Sequence, residues 1–274
     1  MSEETPTYAA RLAAAIAASQ GPVLAVTGAG VSAASGIRTY RGKEPDAVWR
    51  QHDVSMATVA TWQRDPVDQL AWYLERFAAV DTAKPNQGHF ALAKIERHCL
   101  ERGPGFQLVT QNIDTLHEQA GSRKMIKVHG TGDRLRCGRP GCVLGAPTGS
   151  LARAGIEVDA FRDAPGPETL PRCPECDTPL RVHVLFFDEY YSDHDDYRYA
   201  EVETVAVEAG MMLFVGTSFA VGVTSLLLQA GAARQIPMFS IDPGGPRLPP
   251  GLPVEVMTAP AEDLLPEVEE LLRR

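Results

Sequence analysis

An apolar run that ends in a glycine-rich turn constrains this chain more than any other feature. Val23-Leu24-Ala25-Val26 has the pattern of a buried strand, and Thr27-Gly28-Ala29-Gly30-Val31-Ser32-Ala33 follows it directly. The turn fits G-x-G-x-x-A, the dinucleotide-binding pattern with alanine in third place. Glycine lets the backbone turn tightly and approach a diphosphate without a Cβ in the way. Free N–H groups at the start of the next helix favour anionic oxygens. An ordinary strand–helix turn that merely needs glycine has the same local sequence, so the rest of the chain must decide between them.

The rest of the chain alternates. Residues 9–18 are alanine-rich and helix-favouring, and helical patterns occupy 66–80 and 88–102. Strands are expected at 107–110 and 125–128, with a short helix at 114–120 ended by Gly121. Further on, strands are expected at 182–187, 211–215 and 237–241, and helices at 195–209, 222–234 and 261–272. Strands alternating with helices imply an α/β fold: a Rossmann-like parallel sheet with helices on both faces. Between 131 and 181 the composition shifts to Gly, Pro, Arg and Cys with little periodicity. This stretch reads as a small inserted module, 131–181, and the expected division is 1–130 with 182–274 as one domain around it. The acidic residue that should follow the glycine turn by about 20 positions and hold a ribose is missing from a strand end. That region, Tyr40-Arg41-Gly42-Lys43-Glu44-Pro45-Asp46-Ala47, looks like a loop.

Composition excludes several classes. Across 274 residues, 44% of them hydrophobic, no apolar run approaches the length of a membrane span. The start, Met1-Ser2-Glu3-Glu4-Thr5, is acidic and does not read as an export signal. A net charge of −9 argues against a nucleic-acid partner, whose phosphates need clustered Lys and Arg. A cytoplasmic location is the expectation. The five cysteines divide into Cys137 and Cys142, Cys173 and Cys176, and a solitary Cys99. Close pairs in a chain without an export signal suggest metal rather than disulfides. The forms C-x₄-C and C-x₂-C, with Gly and Pro inside them, predict one closed, structural zinc site. Cys99 lies in a helical pattern and reads as a buried helix residue.

Polar residues just beyond strand ends line the ligand crevice of an open α/β sheet. Gln111-Asn112-Ile113-Asp114 follows one strand, His129-Gly130 another, and Asp242 a third. Locally, Asn112 and Asp114 could equally cap the next helix, and Asp242 could simply form a turn before Pro243. His129 stands at the mouth of the same crevice, and histidine titrates near operating pH, which suits a general base. His117 falls inside a helix and reads as structural.

Longer strings carry a resemblance. Gly28-Ala29-Gly30-Val31-Ser32-Ala33-Ala34-Ser35-Gly36-Ile37-Arg38-Thr39-Tyr40-Arg41-Gly42 resembles the sirtuin signature GAG-[IV]-S-x-x-SGI-P-x-[FY]-RG, with Arg38 where the family usually has Pro. Thr110-Gln111-Asn112-Ile113-Asp114-Thr115-Leu116-His117 resembles TQNID-x-LH, and Val215-Gly216-Thr217-Ser218 resembles VGTS. Arg181-Val182-His183-Val184-Leu185-Phe186-Phe187-Asp188-Glu189 is similar to R-P-x-V-V-x-F-G-E, with Asp188 in place of Gly. The resemblance covers about residues 10 to 272. It implies an NAD-dependent protein-lysine deacylase that yields nicotinamide, O-acyl-ADP-ribose and free lysine. It implies NAD contacts from Gly28, Ala29, Gly30, Ser32, Tyr40, Arg41, Gln111, Asn112, Asp114, Gly216, Thr217, Ser218, Asp242 and Ala261. His129 becomes the general base, with Asn112 and Asp114 at the nicotinamide and ribose. Asp242 stands where the family usually has Asn, and its charge would repel a 2′-phosphate. Sirtuins carry a four-cysteine zinc module at this place in the chain. The strand 182–187 would pair with an acyl-lysine protein substrate, and Val184, Leu185, Phe186 and Phe187 would wall the acyl channel.

Tyr73 and Arg76 lie three apart on one helix face. They match a Tyr-x-x-Arg pair by which one sirtuin class holds the carboxylate of succinyl- or malonyl-lysine, and Thr39 fits that class. A solvated helix face has the same sequence. Protein ADP-ribosylation or NAD hydrolysis at the same site, and a non-catalytic NAD-sensing module, are the competing functions.

Overall fold

The computed structural model describes residues 6–39, 54–246 and 248–274. The chain begins with α1 (Tyr8–Ala18), β1 (Val23–Thr27), α2 (Val59–Arg64), α3 (Pro66–Thr82), α4 (Gln87–Arg102) and β2 (Phe106–Thr110). It continues through α5 (Leu116–Ala120), β3 (Met125–Lys127), β4 (Gly130–Cys137), β5 (Leu151–Ala152), α6 (Asp159–Asp163) and β6 (Leu180–Val184). It ends with α7 (Tyr199–Glu208), β7 (Met211–Val215), α8 (Gly222–Arg234), β8 (Met238–Ile241), β9 (Val254–Met257) and α9 (Ala261–Arg273).

Six strands form one sheet in the order β3-β2-β1-β7-β8-β9, and each neighbouring pair is parallel. The order reverses between β1 and β7, where a doubly wound sheet opens its ligand crevice. Every residue of β1 and β7 is buried. Val23, Ala25, Met211, Leu213 and Val215 point into one core with α1, α4 and α9. Leu24, Val26, Met212 and Phe214 point into the other with α7 and α8. That two-sided burial is why these strands read as continuous apolar runs. Side chains cap the starts of several helices. Thr7 caps α1 through Ala10 N–H, Asp65 caps α3 ahead of Pro66, and Asn86 caps α4.

Three expected elements differ. The helix expected over 195–209 is a 3₁₀ turn at Asp195–Tyr197 followed by α7, because Arg198 between them is left-handed, at φ 47°. The strand expected over 182–187 starts at Leu180 and ends at Val184. The stretch 131–181 is not wholly irregular. It contributes β4 and β5 to a three-stranded sheet ordered β5-β4-β6, and both β4 pairings are antiparallel. A division at 130/131 and 181/182 therefore crosses β4 and β6. This second sheet shares its core with α2 and α3: Trp62, Tyr73 and Phe77 pack with Leu135, Phe161, Val182 and Phe186.

Two devices hold the smaller sheet. Glu189 is gripped by Arg181 and Arg136, all three nearly buried. Removing one member of such a group costs about 3–5 kcal/mol, because it strands the other charges. At the far end Cys137, Cys142, Cys173 and Cys176 converge. Their sulfurs lie 3.4 Å (Cys137–Cys176), 3.7 Å (Cys142–Cys173) and 3.7 Å (Cys142–Cys176) apart. Four thiolates at the zinc–sulfur distance around a tetrahedral ion are about 3.8 Å apart, so the cluster fits one structural zinc. Cys99 is buried in α4, where burial pushes its thiol up to about 12, and it takes no part. Metal analysis should give one zinc per chain, lost when any of the four cysteines becomes Ala and kept in Cys99→Ala. Chelation should unfold the module. Metal-free protein with an unchanged melting curve would remove the site.

Candidate active site

The glycines meet at the point where the sheet order reverses. Gly28 N–H donates to Val215 O (3.0 Å) and Gly30 N–H to Gly216 O (2.9 Å). A Cβ on Gly30 would stand 2.6 Å from Gly216 Cα, and one on Gly216, whose φ is +59°, would stand 2.4 Å from Val31 N. Two backbones touch here with no room for side chains. The turn leads into a 3₁₀ helix, Ala29–Ser35, which buries Val31 and Ser32. The loop after β7 lies against it, with Thr217 buried and Ser218 exposed. Asp242 follows β8 beside Gly216, whose N–H donates to Ile241 O. Its Oδ1 accepts Gly244 N–H at 2.8 Å, forming the turn that the local sequence allowed. Ala261 is buried at the start of α9. Tyr40 and Arg41 lie outside the described residues.

A directed hydrogen-bond network fixes the residues after β2. Gln111 Nε2 donates to Thr27 O (3.2 Å) and Thr217 Oγ1 (3.0 Å), tying three strand ends together. Asn112 Nδ2 donates to Gly28 O (3.2 Å) and Ser32 Oγ (3.1 Å). Ser32 in turn donates to Asp114 Oδ2 (2.9 Å), while Asp114 Oδ1 accepts Leu116 N–H (3.0 Å). Asp114 is thus both helix cap and crevice residue. Sequence reasoning missed His89. Burial lowers its pKa to about 4, opposed by Asp114, so the ring is neutral. Its Nδ1 accepts Asn86 N–H, which leaves Nε2–H to donate to Ser32 Oγ at 3.4 Å. His117 is buried with Nε2 3.0 Å from Thr27 Oγ1, consistent with a structural residue.

His129 stands at the joint of the two sheets, between β3 and β4. The glycine after it has φ +74°, and a Cβ there would lie 2.2 Å from His183 O. The half-buried ring has its pKa lowered to about 4 by burial, opposed by the Gln111 carbonyl. That carbonyl lies 2.9 Å from Nδ1. A carbonyl only accepts, so Nδ1 carries the proton and the lone pair is on Nε2. The neutral imidazole is oriented as a base without needing a carboxylate.

The substrate side departs from the expected strand. Beyond Val184 the backbone N–H groups are taken internally. Leu185 donates to His129 O (3.0 Å) and Phe187 to Ala57 O (2.9 Å), and Phe186 donates to Glu189 Oε2 (2.9 Å). Val184 and Phe186 are buried, Leu185 is half-buried and Phe187 is exposed. Tyr73 stacks on Phe186 at 5.8 Å, and the Arg181 guanidinium covers the same ring at 3.6 Å. One turn on, the Arg76 guanidinium lies 3.6 Å over Trp72, with Nη1 donating to Trp72 O. Asp188, the departure from Gly, accepts Val59 N–H (2.7 Å) and Ala60 N–H (3.2 Å) and so clamps this loop to α2. His183, His194 and Asp196 also gather. Both ring nitrogens of His194 are already used, by Asp196 N–H and Gly149 O, which makes this a packing network.

Comparison with known proteins agrees with this geometry. A model of the Sir2 family matches residues 28–223. The chain is 34% identical over 243 residues to an NAD-dependent protein deacylase of Thermus thermophilus, covering 88% of this chain and 87% of that one. It is 34% identical over 224 residues to the NAD-dependent protein deacylase sirtuin-5 of Xenopus tropicalis, covering 79% and 71%. A solved Sir2 homologue in complex with NAD superposes with a TM-score of 0.77 at 32% identity, covering 96% of this chain and 93% of that one. The protein, with its reversed strand order, four-cysteine cluster and oriented histidine, belongs to the Sir2 family.

Proposed function

We propose that the protein removes acyl groups from lysine side chains of proteins in an NAD-dependent reaction, giving nicotinamide, O-acyl-ADP-ribose and free lysine. The observation that carries this is His129: neutral, with its one lone pair on Nε2, at the mouth of the crevice that holds Asn112 and Asp114. The crevice suits the dinucleotide because glycines bring its two loops together and polar groups stand at the strand ends. When bound, the dinucleotide supplies the ribose carbon that takes the acyl oxygen as nicotinamide leaves. The chain's own part is to seat it with Gly28, Ala29, Gly30, Ser32, Gln111 and the loop Gly216–Ser218. Asn112 and Asp114 face the nicotinamide ribose, Asp242 and Ala261 the adenosine end, and His129 Nε2 takes a proton from a ribose hydroxyl. Among the described residues no helix is long and apolar enough to cross a membrane, and a cytoplasmic location without a nucleic-acid partner belongs to this reading.

His129→Ala should lower deacylation by ~10²–10⁴-fold with the fold and zinc content intact. Mass spectrometry of an acyl-lysine peptide, with and without NAD, reads it. ADP-ribosylated protein or free ADP-ribose without peptide deacylation would point to the competing transfers, and no turnover at all to a sensor. The base is the deprotonated ring and its pKa is lowered to about 4. Activity should therefore persist as pH falls through 6.5, and the acid limb of kcat/KM should lie below about 5.5. A midpoint at 6.5 or above would show an imidazole freely solvated in the working enzyme.

The acyl group is the finer question. Tyr73 sits on the side of α3 turned towards β6, stacked on Phe186, and Arg76 lies one turn on, over Trp72. Arg76 over Trp72 suits the end of a succinyl or malonyl chain. Succinyl-lysine peptides should be hydrolysed better than acetyl-lysine peptides by about 10- to 150-fold, the weight of one hydrogen bond to a charged group. Arg76→Met should erase that preference and spare deacetylation. Equal or faster acetyl turnover by the unaltered protein would reduce the pair to packing.

A further inference from the structure

Tyr191 was invisible in the sequence as a site residue, yet among the described residues its hydroxyl is the hydrogen-bond partner of His129 Nε2. It opens the 3₁₀ turn Tyr191–Asp193 that follows the Asp188–Glu189 clamp. Its hydroxyl lies 3.3 Å from His129 Nε2, and the two rings are nearly parallel, 20° apart with centroids at 5.9 Å. The phenol oxygen also accepts Val223 N–H at 3.4 Å, from the first turn of α8. Behind it, Tyr199 stacks on Tyr191 at 4.6 Å and 11°.

The proton directions follow from the partners. Gln111 O can only accept, so the neutral ring has its proton on Nδ1 and its lone pair on Nε2. Val223 N–H can only donate, so it uses a lone pair of the phenol. The phenol's own proton is then directed at His129 Nε2. Burial raises the Tyr191 pKa, so the hydroxyl keeps that proton. One hydrogen bond at Nδ1 leaves an imidazole free to swing about that contact. A second at Nε2, with a ring stacked alongside, fixes the direction of the lone pair.

We propose that Tyr191 is a positioning residue for His129. Anchored by α8 and Tyr199, its hydroxyl fixes the plane of the imidazole in the resting protein, and gives up the single Nε2 lone pair to the substrate hydroxyl when that arrives. This rests on His129 being the general base of the deacylation proposed above. It adds that the loop after the substrate strand and the start of α8, which follows the cofactor loop, both reach the base through one phenol. Correct geometry established before the substrate arrives is worth more than the strength of the contact itself.

The test is Tyr191→Phe, which keeps the ring and its stacking and removes only the hydroxyl. The kcat for NAD-dependent deacylation should fall about fivefold, the weight of one neutral hydrogen bond. The KM values for peptide and NAD should stay within about twofold. Tyr191→Ala, which also loses the stack, should approach a 10²-fold loss, the cost of misplacing a catalytic group. Nitrogen NMR of the His129 ring in the resting protein supplies a readout independent of turnover. The Nε2 resonance of the unaltered protein should show an acceptor in a hydrogen bond, and that signature should vanish in Tyr191→Phe, with zinc content and melting temperature unchanged. An unchanged Nε2 resonance overturns the proposal. So does an unchanged or raised kcat, which would mean that the phenol merely blocks the nitrogen. If the unaltered protein proves inactive on acyl-lysine, the functional reading fails, and the Nε2 resonance alone still decides whether Tyr191 holds His129.

Discussion

Backbone contact between Gly30 and Gly216 is the constraint on which the site depends. The two loops approach so closely that a Cβ on either glycine would overlap main-chain atoms of the other loop. Moving them apart to admit a side chain would separate the carboxyl ends of β1 and β7, the two strands between which the sheet reverses. Ser32 and Thr217 ride on these loops, and through them so do the hydrogen bonds of Asn112, Asp114 and Gln111. The glycine pattern in the sequence reads as room for a diphosphate. In the fold its first use is to let one loop lie on the other, and the crevice is what that contact leaves at the strand ends.

Elements buried on both faces were legible because their burial appears as unbroken apolar runs. That covers β1 and β7, while Gln107 and Ser240 interrupt the runs of β2 and β8 without hiding the strand–helix alternation that gives the fold class. Edges were harder. β9 is an edge strand with only Met257 fully buried, and it follows a proline- and glycine-rich stretch, so Val254–Met257 has no clear strand signature. β4 reads Gly-Thr-Gly-Asp-Arg-Leu-Arg-Cys and carries buried Arg136, whose charge is neutralised by Glu189, a residue 53 positions away. Such a strand looks polar until its partner is known. The same holds within the site. His129, Asn112 and Asp114 stand next to strand ends and could be found by position. His89, Asp188 and Tyr191 act through partners 57, 129 and 62 residues distant. Nothing local to those residues signals the pairing.

The two sheets are joined at His129. β3 ends the larger sheet, β4 begins the smaller, and His129 lies between them, with its carbonyl accepting Leu185 N–H from the chain leaving β6. Glu189 accepts Phe186 N–H and both arginines, so the loop that carries Phe186 and Phe187 is anchored to the interior of the smaller sheet. Asp188 fastens the same loop to α2. A glycine in its place could not make that tie. Buried charges therefore hold the loop after β6, and that loop meets His129 through the Leu185 hydrogen bond. The zinc cluster supports them from the opposite end by holding the chain between β4 and β6, which has too little apolar surface to order itself.

Arg76 is held by an aromatic neighbour one turn back on its own helix. A guanidinium stacked on an indole engages its flat face, in a contact worth about 0.5–2 kcal/mol. Its N–H groups lie in the ring plane, where a carboxylate grips side-on. Stacking on Trp72 and the Nη1 hydrogen bond to Trp72 O together hold the Arg76 guanidinium in one orientation. Lysine in this position would lose both the stacking and the fork. Tyr73 next to it is fixed by Phe186, which Arg181 covers and the Glu189 group supports. Tyr73 and the loop after β6 thus rest on one frame, with Glu189 at its centre. A substitution that loosens Glu189 therefore disturbs both that loop and the ring on which Tyr73 stacks.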